Sequence, residues 1–256
     1  MITLKRGDKL PTVAVLQSYL NQQPSTTEFL NVDGNFGPRT EAAVIRYRAA
    51  GRLSKGKTVD FDVWKQVVGS EWQVIESIDR SDHGDPKWET NEHEVLAPFQ
   101  QTMLEFFGMS HGSPVVLMEI YEKARPGELV LLRFHGHGSP GHMIIASGRK
   151  SAGSSLAHYY GKPFYQFLQR FRGIFAPFGS IEMHGCRVGK GALGHKLLAG
   201  MADAIGVPVS GGLQTQYGGD HYTYRFEGPT NTICPNGESL RNWSLRVGSV
   251  SRMRPG

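Results

Sequence analysis

Phe134-His135-Gly136-His137-Gly138-Ser139-Pro140-Gly141 and Met183-His184-Gly185-Cys186-Arg187-Val188-Gly189 decide the reading of this chain. Each string closes an apolar run, residues 129–134 and 174–183, that reads as a buried strand, and each then turns on glycine. Glycine lets the chain reverse sharply and lets a second backbone come close. A histidine at one strand end and a cysteine at another are the smallest set that supplies a thiolate nucleophile and its acid/base partner.

Outward from these strings, strand-like and helix-like stretches alternate. Residues 74–75 read as a first strand, 94–107 as a helix, 115–124 as a helix or strand-helix piece, and 159–171 as an aromatic-rich helix. A helix over 192–205 is bounded by Gly206, and 207–210 and 222–226 read as further strands. The charged stretch 80–92 reads as a surface loop. This alternation predicts an α/β fold with a mostly parallel sheet covered by helices on both faces. Ligands in such sheets sit outside the carboxyl ends of the strands, where both strings fall.

Residues 1–69 read as a separate, small three-helix domain. Pro11 suits a first helical position, and Val13, Leu16, Gln17 and Leu20 follow at helical spacing. A turn-rich loop over Asp33-Gly34-Asn35-Phe36 leads into a helix with Ala43, Val44 and Tyr47, and a third helix carries Phe61, Trp64 and Val67. A linker at 69–72 precedes the larger domain, 72–256.

Hydrophobic residues make up 39% of the chain, enough for a core, yet no apolar stretch approaches the ~20 residues a membrane span needs. No secretory signal is visible after the basic Lys5-Arg6. The net charge of +5 suits an anionic partner, but the basic residues are scattered and no nucleic-acid motif is present. Of the two cysteines, Cys186 sits among turn glycines and reads as a reactive thiol; Cys234, before the Pro235-Asn236-Gly237 turn, reads as structural.

The order and spacing of the first two strings, with His137 49 residues before Cys186, resemble the caspase-like cysteine peptidases. Within that superfamily, Gly136-His137-Gly138-Ser139-Pro140-Gly141 and Gly185-Cys186-Arg187-Val188-Gly189 are similar to the bacterial DUF4347 or CHAT-like domains, over residues 72–245. The resemblance implies a caspase-like α/β/α sandwich with a His137–Cys186 dyad. Backbone N–H groups at Gly138 and Cys186 are then the natural oxyanion donors. His135 is not part of the family pattern and reads as structural or as a support behind the dyad. Asp220, on a loop after a late strand, is a candidate for binding a basic substrate residue.

The front segment resembles the three-helix peptidoglycan-binding domains, through Leu4 to Gly7, Leu16-Gln17-Ser18-Tyr19-Leu20, Asp33 to Thr40 and Val59 to Trp64. That likeness implies a groove lined by Asp33 and Phe36 that takes peptidoglycan, and a place in the bacterial cell envelope. Together the two resemblances imply a wall-targeted cysteine peptidase or amidohydrolase, of the kind an interbacterial toxin carries, needing no cofactor and acting on a peptide or protein substrate. Two alternatives stay open. His135, His137, His142, His184 and Cys186 can be read as a zinc amidase cluster, because residues two apart on a strand share a face. A wall-binding scaffold with an idle dyad is the other.

Overall fold

The computed structural model describes residues 3–25, 27–68, 72–79, 102–106, 112–146, 155–216 and 226–247. Residues 80–92, 94–101, 107 and 222–225, assigned above to a loop, a helix and a strand, lie outside the described residues.

The front of the chain forms α1 (Pro11–Leu20), α2 (Pro38–Ala50) and α3 (Phe61–Val68). Proline opens α1 and α2, where its missing N–H breaks no helical hydrogen bond. The buried Gln17 side chain organises the loop between the first two helices. Its Oε1 accepts from the backbone N–H groups of Asp33 (3.0 Å) and Gly34 (2.9 Å), and its Nε2 lies 3.0 Å from Asp33 Oδ1 and from the Asn35 carbonyl. Gly34 takes a φ of +70°, a conformation that favours glycine. Arg48, also buried, draws the polar stretch after α2 inward through Ser54 O (2.7 Å) and Asp60 (2.9 Å).

Among the described residues, the rest of the chain carries a six-stranded sheet of order β2-β1-β3-β7-β8-β9 and a small three-stranded one, β4-β5-β6. The large sheet comprises β1 (Gln73–Asp79), β2 (Thr102–Phe106), β3 (Leu129–His135), β7 (Phe175–His184), β8 (Val209–Gly212) and β9 (Thr230–Ile233). All its pairings are parallel except β8 with β9. The α/β class and mostly parallel sheet expected from the sequence are therefore present. The small sheet, β4 (Gly138–Ser139), β5 (His142–Ile144) and β6 (Ser155–Ala157), is antiparallel and follows the His137 turn directly.

Residues 102–106 correct the sequence reading: they form a strand rather than the end of a helix. Leu104 and Phe106, two apart and so on one face of the strand, are both buried where it pairs with β1. The aromatic stretch is also shorter as an α-helix than expected, running from Lys162 to Leu168 before tightening into a 3₁₀ turn.

Helices α4 (Ser113–Lys123), α5 (Lys162–Leu168) and α6 (Gly191–Ile205) cover one sheet face. Strands β2, β3, β7 and β8 step in one direction, so right-handed crossovers place their helices on a single side. There Ile75, Leu132, Phe134, Ile181 and Met183 meet Val116, Ile120, Leu197 and Met201 in one core. At the end of α6, Gly206 adopts the left-handed conformation and Arg172 donates to the carbonyls of Asp203 and Ala204, both at 2.8 Å.

The opposite face needs cover from outside that run, and the front of the chain supplies it. Val74, Leu131, Ala176 and Phe178 belong to the same buried core as Val13, Leu16 and Phe36 of the three-helix segment. The terminal helix α7 (Leu240–Val247) joins them through Trp243 and Val247. The two segments on either side of residue 70 thus share one continuous core. The Ser244 hydroxyl donates to the Val32 carbonyl, and a methyl group on Gly34 would lie 2.7 Å from Leu240 Cδ2.

Candidate functional site

Strand β3 ends at His135 and β7 at His184, directly opposite each other in the parallel ladder. The chain after each strand turns, and the two turns touch. A methyl group on Gly138 would sit 2.5 Å from Val188 Cγ2, 3.0 Å from the Cys186 backbone nitrogen and 3.0 Å from the Gly185 carbonyl carbon. One on Gly185 would lie 3.1 Å from the Gly136 carbonyl oxygen. Glycine at 138 and 185 is what lets the His137 and Cys186 turns abut, and the fully buried Val188 wedges between them.

The turns are pinned by backbone hydrogen bonds. Ile144 N donates to the His137 carbonyl (2.8 Å), and Gly141 N to the Val188 carbonyl (3.0 Å). Arg187 holds a φ of +56° and donates its N–H to the Gln214 carbonyl at 2.9 Å. A non-glycine residue in that region costs about 1–3 kcal/mol and persists where surroundings enforce it. Gly189 N, two residues along, donates to the Gly212 carbonyl at 3.0 Å.

Cys186 is half-buried and is a free thiol. Its Sγ lies 3.4 Å from both the backbone nitrogen and the carbonyl oxygen of Gln216. His137 is exposed. Cys234 is also free but buried, and burial with Glu238 nearby pushes its thiol up to about 12, so it stays protonated and inert near neutral pH.

Beneath the turns, a row of polar side chains crosses the sheet on the face that the three-helix segment covers. Glu76, Arg133, Glu182, Ser210 and Thr232 are successive register partners on β1, β3, β7, β8 and β9. Arg133 Nε lies 2.9 Å from both Glu76 carboxylate oxygens, and Ser210 Oγ is 2.8 Å from Thr232 Oγ1. His135 Nε2 is 2.7 Å from Glu76 Oε2, and His184 Nε2 is 3.0 Å from Glu182 Oε2. The His135 ring stacks on His184 at 5.2 Å, which stacks in turn on Phe226 at 4.1 Å. Burial raises the Glu76 carboxyl, but Arg133 and His135 more than reverse this and hold it at about 2. Burial outweighs Glu76 for His135, lowering it to about 4 and leaving the ring neutral near pH 7. His135 is therefore a buried partner of Glu76.

Several expectations need correction. Phe36, expected to line a ligand groove, is completely buried in the shared core. Asp33 accepts hydrogen bonds from Gln17 and from Asn35 N (2.9 Å), holding its own loop, whose Gly34 is covered by Leu240. Glu182, just before the second string, is fully buried inside β7. The shared face of His135 and His137 does not arise, because β3 stops at His135 and His137 lies in the turn. Among the described residues no three His, Cys, Asp or Glu side chains gather in a group that could hold a metal ion. Asp220 lies outside the described residues.

Two clefts can be placed against this framework among the described residues. One of about 540 Å³ lies at the amino ends of β7 and β8, around Arg172, Phe175, Pro177 and Val207. The other, about 340 Å³, opens between the front segment (Asp8, Lys9, Leu10) and Phe226, Pro229 and Thr230. Of these, the second adjoins the carboxyl-end side, through the Phe226–His184 stack, and that end is where α/β sheets bind ligands.

Comparison of the chain with known protein families, with curated proteins and with solved structures found no match.

Proposed function

We propose that the chain is a cysteine-dependent hydrolase of peptide or amide bonds, with Cys186 as nucleophile and His137 as acid/base. The observation that supports this is the abutment of the two glycine turns at the carboxyl ends of adjacent parallel strands, which brings the Gly138 backbone against the Cys186 N–H. In the proposed reaction the Cys186 thiolate attacks the carbonyl carbon, and the N–H groups of Gly138 and Cys186 receive the oxyanion. His137 gives its proton to the departing amine, leaving a thioester. Water, deprotonated by His137, then releases the acid and restores the thiol.

The finer reading, a caspase-like domain, rests on the His-to-Cys order and on the motifs around both residues. A cell-wall target rests on the resemblance of the front segment to peptidoglycan-binding domains. Burial of Phe36 and the cover over Gly34 favour that segment's signature loop acting as a layer of the fold.

The test compares wild type, Cys186→Ala and His137→Ala on a mixed peptide library and on purified peptidoglycan, with product masses read and chelator added in parallel. Product from wild type alone, unaffected by chelator, is the expected result. Loss on chelation favours the zinc alternative. No product from any form overturns the hydrolase. Co-sedimentation of Cys186→Ala with peptidoglycan tests the wall target separately, and failure to pellet removes it.

A further inference from the structure

Gln216 belongs to neither string, yet five hydrogen bonds tie it into the surroundings of the nucleophile. Its Oε1 accepts from Glu227 N at 2.8 Å, while its Nε2 lies 3.1 Å from the Gln214 carbonyl and 3.2 Å from the Glu227 carbonyl. Its backbone N–H donates to Cys186 Sγ at 3.4 Å. The residue is largely buried, which strengthens these bonds relative to the same bonds in open solvent. A close approach elsewhere is part of the same arrangement. A methyl group on Gly212 would lie 2.8 Å from Gln216 Nε2, so glycine there leaves room for the carboxamide against the end of β8.

We infer that Gln216 is a positioning residue for Cys186: its carboxamide, fixed to Gln214 and Glu227, holds its own backbone N–H against the sulfur, where that N–H stabilises the thiolate. This deepens the proposed reaction and rests on Cys186 being its nucleophile. The protonated thiol can donate to the Gln216 carbonyl, also at 3.4 Å, so the backbone of one residue meets both forms of the sulfur. Losing the proton exchanges the carbonyl contact for the amide contact with little movement. A hydrogen bond to the charged form lowers a thiol's pKa, and only the thiolate is an effective nucleophile.

The experiment is alkylation of the full chain by iodoacetamide across pH 5.5–9.5, with Cys186 followed by peptide mass. The thiolate forms the S–C bond and iodide leaves, so the rate reports the thiolate fraction without any peptide substrate. In Gln216→Ala the pH midpoint is expected to rise by about one unit, slowing alkylation at pH 7 about tenfold. Gly212→Ala, which displaces the carboxamide while keeping it, is expected to shift the midpoint the same way by a smaller amount. It also decides the matter should Gln216→Ala fail to fold. A lowered melting temperature with an unmoved midpoint in Gln216→Ala and Gly212→Ala would overturn the inference, since a merely structural role predicts that outcome. Peptide hydrolysis is scored separately, so failure of the proposed reaction and failure of this inference are distinguishable.

Discussion

Deleting residues 1–71 should abolish independent folding of the rest of the chain. The three-helix segment and α7 together bury one face of the large sheet, where Trp72, Val74, Leu131, Phe178, Trp243 and Val247 are each at most 7% exposed. Burying one such side chain is worth about 1.5–3 kcal/mol. If the front segment supplies half of that burial, its removal costs roughly 5–9 kcal/mol, against a total stability of ~5–15 kcal/mol for an ordinary protein. The α7 helix would also lose its Ser244–Val32 and Leu240–Gly34 contacts and with them part of its seat on the sheet. The assay is expression of residues 72–256, followed by near-ultraviolet circular dichroism, dye binding to exposed apolar surface and thermal melting beside the full chain. The expected product is aggregated, or lacks a cooperative transition. A truncated chain that melts cooperatively within a few degrees of the full chain would refute the reasoning, because it would show that this face needs no cover from the front segment.

Three further outcomes follow from the buried charges and thiols. Glu76→Gln removes the charge that Arg133 and His135 share, and breaking a buried pair this way should cost about 3–5 kcal/mol by urea denaturation; a loss below 1 kcal/mol would mean the network contributes little. Stability should fall on acidification. The unfolded chain takes up a proton at His135 near pH 6.5 while the folded chain resists until about 4, and Glu76 repeats the pattern from 4.5 down to about 2, so protons favour unfolding through both windows. Denaturation midpoints at pH 7, 6 and 5 should show a slope approaching ~1.4 kcal/mol per pH unit below 6.5, and a flat profile to pH 4 would contradict a buried neutral His135. Finally, brief iodoacetamide treatment of native protein at pH 8 should label Cys186 and spare Cys234, with both labelled after unfolding; equal native labelling would contradict the burial of Cys234.

The site was legible from sequence where it depends on neighbours along the chain. An apolar run followed by His-Gly or Gly-Cys marks a buried strand that stops and turns, and β3 and β7 do stop at His135 and His184. A trace of the polar row was also present, since Glu76, Arg133 and Glu182 each interrupt an apolar strand. What they were for was not readable, because a lone charge in an apolar run looks the same whether it is solvated, catalytic or paired. Gln216 left no signal beyond its place near a glycine-rich stretch.

The sequence by itself determined the local elements: the proline-started helices α1 and α2, the central strands, the glycine turns and the left-handed stop at Gly206. These are set by backbone preferences and by spacing within a few residues. Only the tertiary structure decided that residues 102–106 join β1 as a strand, that Phe36 is core, and that the front segment and α7 form the second covering layer. It alone paired Glu76 with Arg133, 57 residues on, and Val32 with Ser244, 212 residues on. Such choices depend on which apolar faces and buried charges lack a partner once the chain has folded, and no short window of sequence contains that information.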